Sequence, residues 1–199
     1  MITTVRKLEQ DDDLSVVSNL IYETDNYIFP HFFNDSKTLA KGILPHMIDS
    51  DTIYNRNNIY VALSEEKIIG IMVINKSPIQ INISAFIDSF EKAGEMIDDS
   101  FERVLKEYYL PLENEPEGYF IANICIDSAY RGQGIGGALL EMVLSDVEPD
   151  KDVYLDCLAD NKVALAVYES HGFEILFEYS GFTGLPYYKM IRRANRELL

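Results

Sequence analysis

The chain has 199 residues, of which 47% are hydrophobic and 25% charged, and its formal net charge at pH 7 is −16. This apolar content excludes a disordered chain, and the length predicts a single domain over residues 1–199 with a sizeable core. The acidic balance argues against a nucleic-acid partner, while apolar runs of strand length and no signal-peptide pattern predict a cytoplasmic protein without a membrane span.

The first part of the chain predicts a strand, two helices and a hairpin. Apolar residues at helical spacing begin at Leu14, and a second helical pattern is interrupted at Pro45. Two apolar runs flank the polar turn Glu65-Glu66-Lys67, which is typical of a hairpin. The predicted elements are a strand over 5–10, a helix from Leu14, a helix over 36–48, and strands over 59–63 and 68–74.

An acidic segment over residues 84–110 predicts a helical insertion. Its apolar residues recur in steps of three and four from Phe86 to Tyr108, which predicts one long amphipathic helix. Ser84 is the expected helix cap, and Pro111 lies beyond the helix end. The segment could wall a binding site, form a dimer contact or be an outer helix facing solvent, and the sequence leaves these three interpretations open.

Residues 121–140 carry the most informative pattern, a buried strand and a polar corner followed by a glycine-rich turn and a helix start. Such a turn presents unpaired backbone N–H groups in one direction, and the helix dipole adds positive potential, so the pattern predicts a phosphate site. Gly132, Gly134 and Gly137 also fit the G-x-G-x-x-G spacing of a dinucleotide fold. A dinucleotide-binding oxidoreductase is nevertheless the weaker interpretation, because too little chain follows for a doubly wound sheet.

The spacing Arg131-x-x-Gly134-x-Gly136 after a strand resembles the coenzyme A pyrophosphate loop of the GNAT-type N-acetyltransferase superfamily. Residues 161–173 are similar to the next helix of that family, and Asn161 is expected to cap this helix. Residues 59–74 are similar to the second and third strands of the family, and 184–190 to its final strand. The resemblance covers most of the chain in the expected order. It implies an α/β (α+β) GNAT-like fold, with a mostly antiparallel mixed sheet of about seven strands, splayed fourth and fifth strands and flanking helices.

The same resemblance implies that acetyl-CoA or coenzyme A binds as a co-substrate and that no metal is used. The amides of the turn are expected on the pyrophosphate, and the backbone of the fourth strand on the pantetheine arm. Arg131 either supplies positive charge or caps the end of that strand. The expected cofactor-binding residues are Ile124, Cys125, Ile126, Arg131, Gly132, Gln133, Gly134, Ile135, Gly136 and Asn161.

Tyr168 occupies the position of the general acid that the resemblance implies. A phenol with a pKa near 10 can protonate a departing thiolate. The general base stays unassigned: Asp127 and Asp156 both lie at strand ends, and Asp127 is better explained as a cap of the corner. Cys125 lies in an apolar run, as does the second cysteine of the chain, and both are expected to be reduced core thiols.

The resemblance implies acetyl transfer to a primary amine by direct attack. The acceptor is a small molecule or a protein amine, and the negative field of the chain would attract a cationic one. The aromatic segment over residues 27–33 either covers the acceptor or packs a helix connection. A homodimer is a further expectation. The alternative function is a non-catalytic acyl-CoA-binding or regulatory module with the same fold.

Overall fold

A computed structural model describes residues 4–24, 27–33 and 35–195, where seven strands form one mixed sheet. The strand order is β1-β2-β3-β4-β5-β7-β6, and only β4 and β5 are parallel neighbours. This sheet confirms the predicted fold class, while the predicted domain limits, 1 and 199, lie outside the described residues. The strands are β1 Thr4–Lys7, β2 Ile59–Ser64, β3 Lys67–Ser77, β4 Gly118–Ile126, β5 Val153–Leu158, β6 Glu174–Ser180 and β7 Pro186–Arg192.

Helices flank the sheet, and several begin at a polar side chain that accepts a backbone N–H. Asp13 caps the first helix at Ser15 N, and Ser36 caps the third at Leu39 N. In the described ranges no helix combines the length and apolar character that crossing a bilayer requires. The helices are α1 Leu14–Tyr22, α2 Ile28–Phe32, α3 Lys37–Ile48, α4 Ile83–Lys92, α5 Asp99–Tyr109, α6 Ile135–Ser145 and α7 Lys162–Ser170.

The two faces of the sheet bury separate apolar cores. One core joins α1 to α5 to one face and is rich in stacked aromatic rings. The other core joins α6 and α7 to the opposite face. Alternate residues of a strand point to opposite faces, so neighbouring positions on β4 and β5 contribute to different cores. Tyr154 of β5 lies in the first core, for example, and Leu155 lies in the second.

The parallel pair β4 and β5 is short, because its strands separate soon after they meet. Their ladder runs from Tyr119, opposite Val153, to Ile121, opposite Leu155. Both strands continue beyond that point, to Ile126 and Leu158. Past the last pair, β4 stays bonded to β3 on its other edge. A gap therefore opens in the middle of the sheet, as the expectation of splayed strands required.

The single long helix predicted over 84–110 is wrong, because the segment forms α4, a turn and α5. Gly94 has a φ of 85°, a left-handed conformation that ends the first helix. Asp98 begins the second by accepting the backbone N–H groups of Ser100 and Phe101. Ser84 is not the cap, since Asn82 accepts from Ala85 N in that role. The apolar residues of both helices pack into the first core, which explains why the apolar periodicity of the sequence continues across the break.

Two smaller predictions also need correction. Pro45 does not interrupt the helix over 36–48, because α3 continues through it to Ile48. A proline removes one backbone donor, and the last turn of α3 tolerates that loss. The first strand is shorter than predicted, since β1 ends at Lys7 and not at residue 10. In the aromatic segment over 27–33, Phe29, Phe32 and Phe33 lie in the first core, where Phe32 stacks on Tyr109 with ring centroids 5.8 Å apart.

Gly118 lies where β4 begins, in a conformation and a space that suit only glycine. Its φ is 151°, and a Cβ there would lie 2.3 Å from the carbonyl oxygen of Asp152. We expect Gly118→Ala to lower the free energy of unfolding by about 1–3 kcal/mol. Gly42→Ala is the matched control: its Cβ would meet nothing within 4 Å in α3, and alanine there should add about 1 kcal/mol. Urea unfolding monitored by circular dichroism measures both changes, and equal stability of the two variants would contradict this account.

Candidate active site

The glycine turn between β4 and α6 presents a row of backbone donors. Gly132 and Gly134 have φ values of 74° and 76°, which glycine adopts without strain. Gly134 is the residue before the first turn of α6, so the N–H groups at residues 135–137 have no carbonyl one turn earlier in the helix. Within the described part of the chain, no backbone carbonyl accepts from residues 132–137. The turn therefore has the free donors that a phosphate group requires.

Arg131 turns back toward the strand that precedes it. Its Nε donates to the carbonyl of Ile126 at 2.8 Å, and its guanidinium lies 3.7 Å from the carboxylate of Glu23, the residue that follows α1. Of the two roles predicted for Arg131, the geometry shows the strand cap. The positive potential of the turn therefore comes mainly from its amides and from the α6 dipole.

Asn161 and Tyr168 lie on α7, beside α6 on the same face of the sheet. Asn161 caps α7 by accepting from Ala164 N at 3.1 Å, as predicted. Tyr168 is half-buried against Phe173, with ring centroids 5.9 Å apart. Burial raises the pKa of the Tyr168 phenol above its usual value near 10, and the Cys157 thiol adds to this shift. The phenol is therefore protonated at neutral pH, so it can act as a general acid but not as a general base.

The other predicted residues of the fourth strand lie along the gap. Cys125 is buried, and its side chain belongs to the first core. Ile124 and Ile126 pack partly against the second core, the one that α6 and α7 cover. The edge of these residues that faces β5 has no strand partner in the described chain, because the β4–β5 ladder stops at Ile121. An extended ligand could form backbone hydrogen bonds there, as the resemblance implied.

A cavity of about 530 Å³ opens on the first-core side of the sheet, at the same gap. Ala122 and Asn123 of β4 line it on one side of the gap, and Asp156 of β5 lines it on the other. The acidic insertion forms a further wall through Tyr108 and Tyr109, and the connection between α5 and β4 adds Leu112 and Glu115. Of the three interpretations of the insertion, the structure therefore supports the one in which it walls a cavity.

Asp156 is a partly buried carboxylate of this cavity. It is the residue directly after the last β4–β5 pair, so it lies where the gap begins. Burial raises the pKa of Asp156, while the ammonium of Lys189 opposes this shift. The Lys189 Nζ lies 3.0 Å from the Asp156 Oδ1 and 2.5 Å from the Glu115 Oε1. Asp127 instead caps the corner after β4, where it accepts from Ala129 N at 2.9 Å, as the sequence favoured.

Asp156, Lys189 and Glu115 are distant in the sequence, and no sequence pattern predicts that they lie in contact. Asp156 and Lys189 each interrupt an otherwise apolar strand pattern, which is a signal that a buried polar site exists. The pairing of β5 with β7 places Asp156 directly opposite Lys189, and this register is not visible in the sequence. Glu115 joins them from the connection between α5 and β4, far away along the chain.

The sheet order, the separation of β4 and β5 and the donor-rich turn together define an acyl-CoA N-acyltransferase fold. Residues 21–173 match the sequence profile of the Acetyltransferase (GNAT) family. This match covers more than half of the chain, and the protein belongs to that family.

Similarity to individual curated proteins is limited to part of the chain. The N-alpha-acetyltransferase RimI of Mycobacterium tuberculosis (strain ATCC 25618 / H37Rv) is 39% identical over 83 residues. This stretch is 40% of the present chain and 52% of RimI, so the chain spans about half the length of that relative.

Solved structures match over nearly the whole chain. An N-acetyltransferase from Staphylococcus aureus Mu50 has a TM-score of 0.68 at 19% identity, with 95% of this chain and 100% of that one covered. The NatC complex bound to Gag peptide and CoA contains a chain with a TM-score of 0.54 at 16% identity, with 98% and 100% covered. At these identities the similarity concerns the fold.

Cys125 and Cys157 are free and buried, and burial raises the pKa of each thiol to about 11. We expect the native protein to react with iodoacetamide at pH 8 at least about 100-fold more slowly than the urea-unfolded chain, because the thiolate is the reactive form. Mass spectrometry of the alkylated protein measures both rates. Labelling of either thiol in the native protein at the unfolded rate would contradict the burial of that thiol.

Proposed function

We propose that this protein is an acetyl-CoA-dependent N-acetyltransferase that transfers an acetyl group to a primary amine by direct attack. The observation that carries this proposal is the gap between β4 and β5. It joins the donor-rich turn and Tyr168 on one face of the sheet to the acidic cavity on the other. A thioester held along the gap and an amine held in the cavity would meet without a covalent enzyme intermediate.

The cofactor half of the proposal depends on backbone groups more than on side chains. The unpaired amides at residues 132–137 fit a pyrophosphate, and the free edge of β4 fits the amides of a pantetheine arm. An N–H of β4 near Ile124 or Cys125 would polarise the thioester carbonyl. CoA in the NatC complex supports this assignment by analogy of fold.

Asp156 is the group that we assign to proton removal from the amine. An acceptor amine is mostly protonated at neutral pH and must lose a proton before it can attack. Asp156 lies in the cavity at the start of the gap, next to where such an amine would meet the thioester. Burial raises the pKa of Asp156, which makes its carboxylate a stronger base than one in water.

Tyr168 is the proposed proton donor to the departing thiolate. It lies on the face of the sheet opposite to Asp156, near Cys157 beyond the last β4–β5 pair. The acid and the base would therefore act from opposite sides of the gap. In a direct transfer, the amine loses one proton and the departing thiolate gains a different one. An acid and a base on opposite sides of the gap suit this requirement.

The acceptor that we favour is a protein α-amine in the cytoplasm, with a small cationic amine as the other candidate. The relative RimI is an N-alpha-acetyltransferase, which supports the first choice. A cavity with acidic groups suits either acceptor, because both present an ammonium group. The alternative, a non-catalytic acyl-CoA-binding module, depends on the lack of a general base. In this proposal Asp156 is the general base.

Binding of the cofactor can be tested through thermal stability. Acetyl-CoA or coenzyme A at a hundred times its Kd should stabilise the native protein by about 2.7 kcal/mol, whereas NAD should not. Gly134→Glu should abolish this effect, because it places a negative side chain at the start of α6. Gly94→Glu is the matched control, since Gly94 also has a positive φ and open space around it but lies in the insertion. Stabilisation by NAD alone, or none by coenzyme A, would overturn the proposed function.

The role of Tyr168 can be tested in steady-state kinetics with an amine identified from a panel of peptides and small amines. We expect Tyr168→Phe to lower kcat at least about tenfold, or roughly 1.4 kcal/mol, because the thiolate loses its proton donor. Affinity for coenzyme A should not change. Tyr130→Phe is the control, because it also removes a phenol hydroxyl group but lies in the corner before the turn. A kcat equal to that of the wild type would remove Tyr168 from the mechanism.

A further inference from the structure

A buried cluster of ions forms one side of the cavity. Lys189 of β7 is only 7% exposed, although lysine is among the residues that are most rarely buried. Its Nζ lies between the carboxylates of Asp156 and Glu115 and 4.8 Å from the centroid of the Phe120 ring. A lysine is buried in this way only when its charge is paired.

The groups that face Asp156 come from three different elements. Lys189 approaches from β7 and favours the ionised carboxylate, and Tyr179 of β6 lowers the pKa of Asp156 through a hydrogen bond. Glu115, from the connection between α5 and β4, raises the pKa of Asp156 through charge repulsion. Burial acts in the same direction as Glu115. One ammonium group therefore serves two carboxylates, and the ionised cluster keeps one negative charge.

Lys189 and Glu115 have opposite effects on the same proton. Burial favours the protonated form of Asp156, and a protonated carboxyl group cannot accept a proton from an amine, so the cation of Lys189 opposes a loss of function. Glu115 weakens the effect of Lys189 on Asp156, because the carboxylate of Glu115 pairs with the same ammonium group. The opposing effects of Lys189 and Glu115 on the pKa of Asp156 decide whether its carboxylate is ionised and still basic enough to accept a proton.

We propose that Lys189 is a positioning residue that keeps Asp156 ionised and held toward the acceptor amine, and that Glu115 makes the connection between α5 and β4 part of this control. The proposal rests on the proposed function, in which Asp156 accepts the proton. It extends that function to a residue of the last strand and to a segment outside the glycine-turn motif.

Kinetics as a function of pH separate this role from a purely structural one. Lys189→Met removes the cation and keeps the chain length, so the acidic limb of the kcat/KM profile should move to higher pH. A displacement of one pH unit lowers kcat/KM on that limb about tenfold. Glu115→Gln removes the repulsion and should move the same limb to lower pH. Lys189→Arg restores the charge and should return the limb toward its wild-type position.

A purely structural ion pair between Glu115 and β7 predicts a different result. Lys189→Met and Glu115→Gln would then both lower the melting temperature and kcat, while the acidic limb stayed at its wild-type pH. That outcome would overturn the proposal.

Titration of Asp156 itself tests the proposal without any acceptor. Nuclear magnetic resonance of protein labelled with ¹³C at aspartate carboxyl groups follows each titration, and Asp156→Asn identifies the signal. The midpoint should rise in Lys189→Met and fall in Glu115→Gln, and unchanged midpoints in both variants would reject the role of Lys189. Absence of turnover by the wild type with every amine would reject the proposed function instead, and the titration would still decide the effect of Lys189 on Asp156.

Discussion

The separation of β4 from β5 is the constraint on which the rest of the site depends. Two parallel strands that part after Ile121 and Leu155 leave backbone groups that the sheet cannot satisfy. A fold tolerates this only where something else can occupy the gap, so the loss of a few ladder hydrogen bonds creates a place for an extended ligand. The glycine turn lies at the end of β4 and the buried acid at the start of the gap, and both are positioned by the same divergence.

Charge is distributed in a way that suits two ligands of opposite sign. The chain as a whole is strongly acidic, with a net charge of −16. An anionic cofactor must therefore meet a local region of positive potential, which the amides of the turn and the α6 dipole provide. The cavity on the other face keeps the negative sign of the whole molecule, because the ammonium of Lys189 is shared by Asp156 and Glu115. A cationic amine would encounter no repulsion on its way to that cavity.

The sequence predicts the parts of this protein that are encoded locally. The turn at residues 131–136, the Asn161 cap and the hairpin before the insertion each depend on neighbouring residues, and the structure agrees. The break at Gly94 was missed because α4 and α5 present one continuous apolar stripe. The ion cluster was missed for a different reason: Asp156 and Lys189 meet through the register of β5 and β7, and Glu115 through the folding of the insertion. Such contacts depend on tertiary structure and leave only a faint local signal.

The two cores on opposite faces of the sheet also affect how such a protein can change in evolution. The turn and α6 belong to one core, whereas the insertion and most of the cavity belong to the other. Mutations in α4 and α5 can therefore alter which molecule enters the cavity while the opposite face keeps its own packing. Under the proposed function, descendants of one ancestral gene could therefore differ in the acceptor that they use without a change at the acyl-donor site.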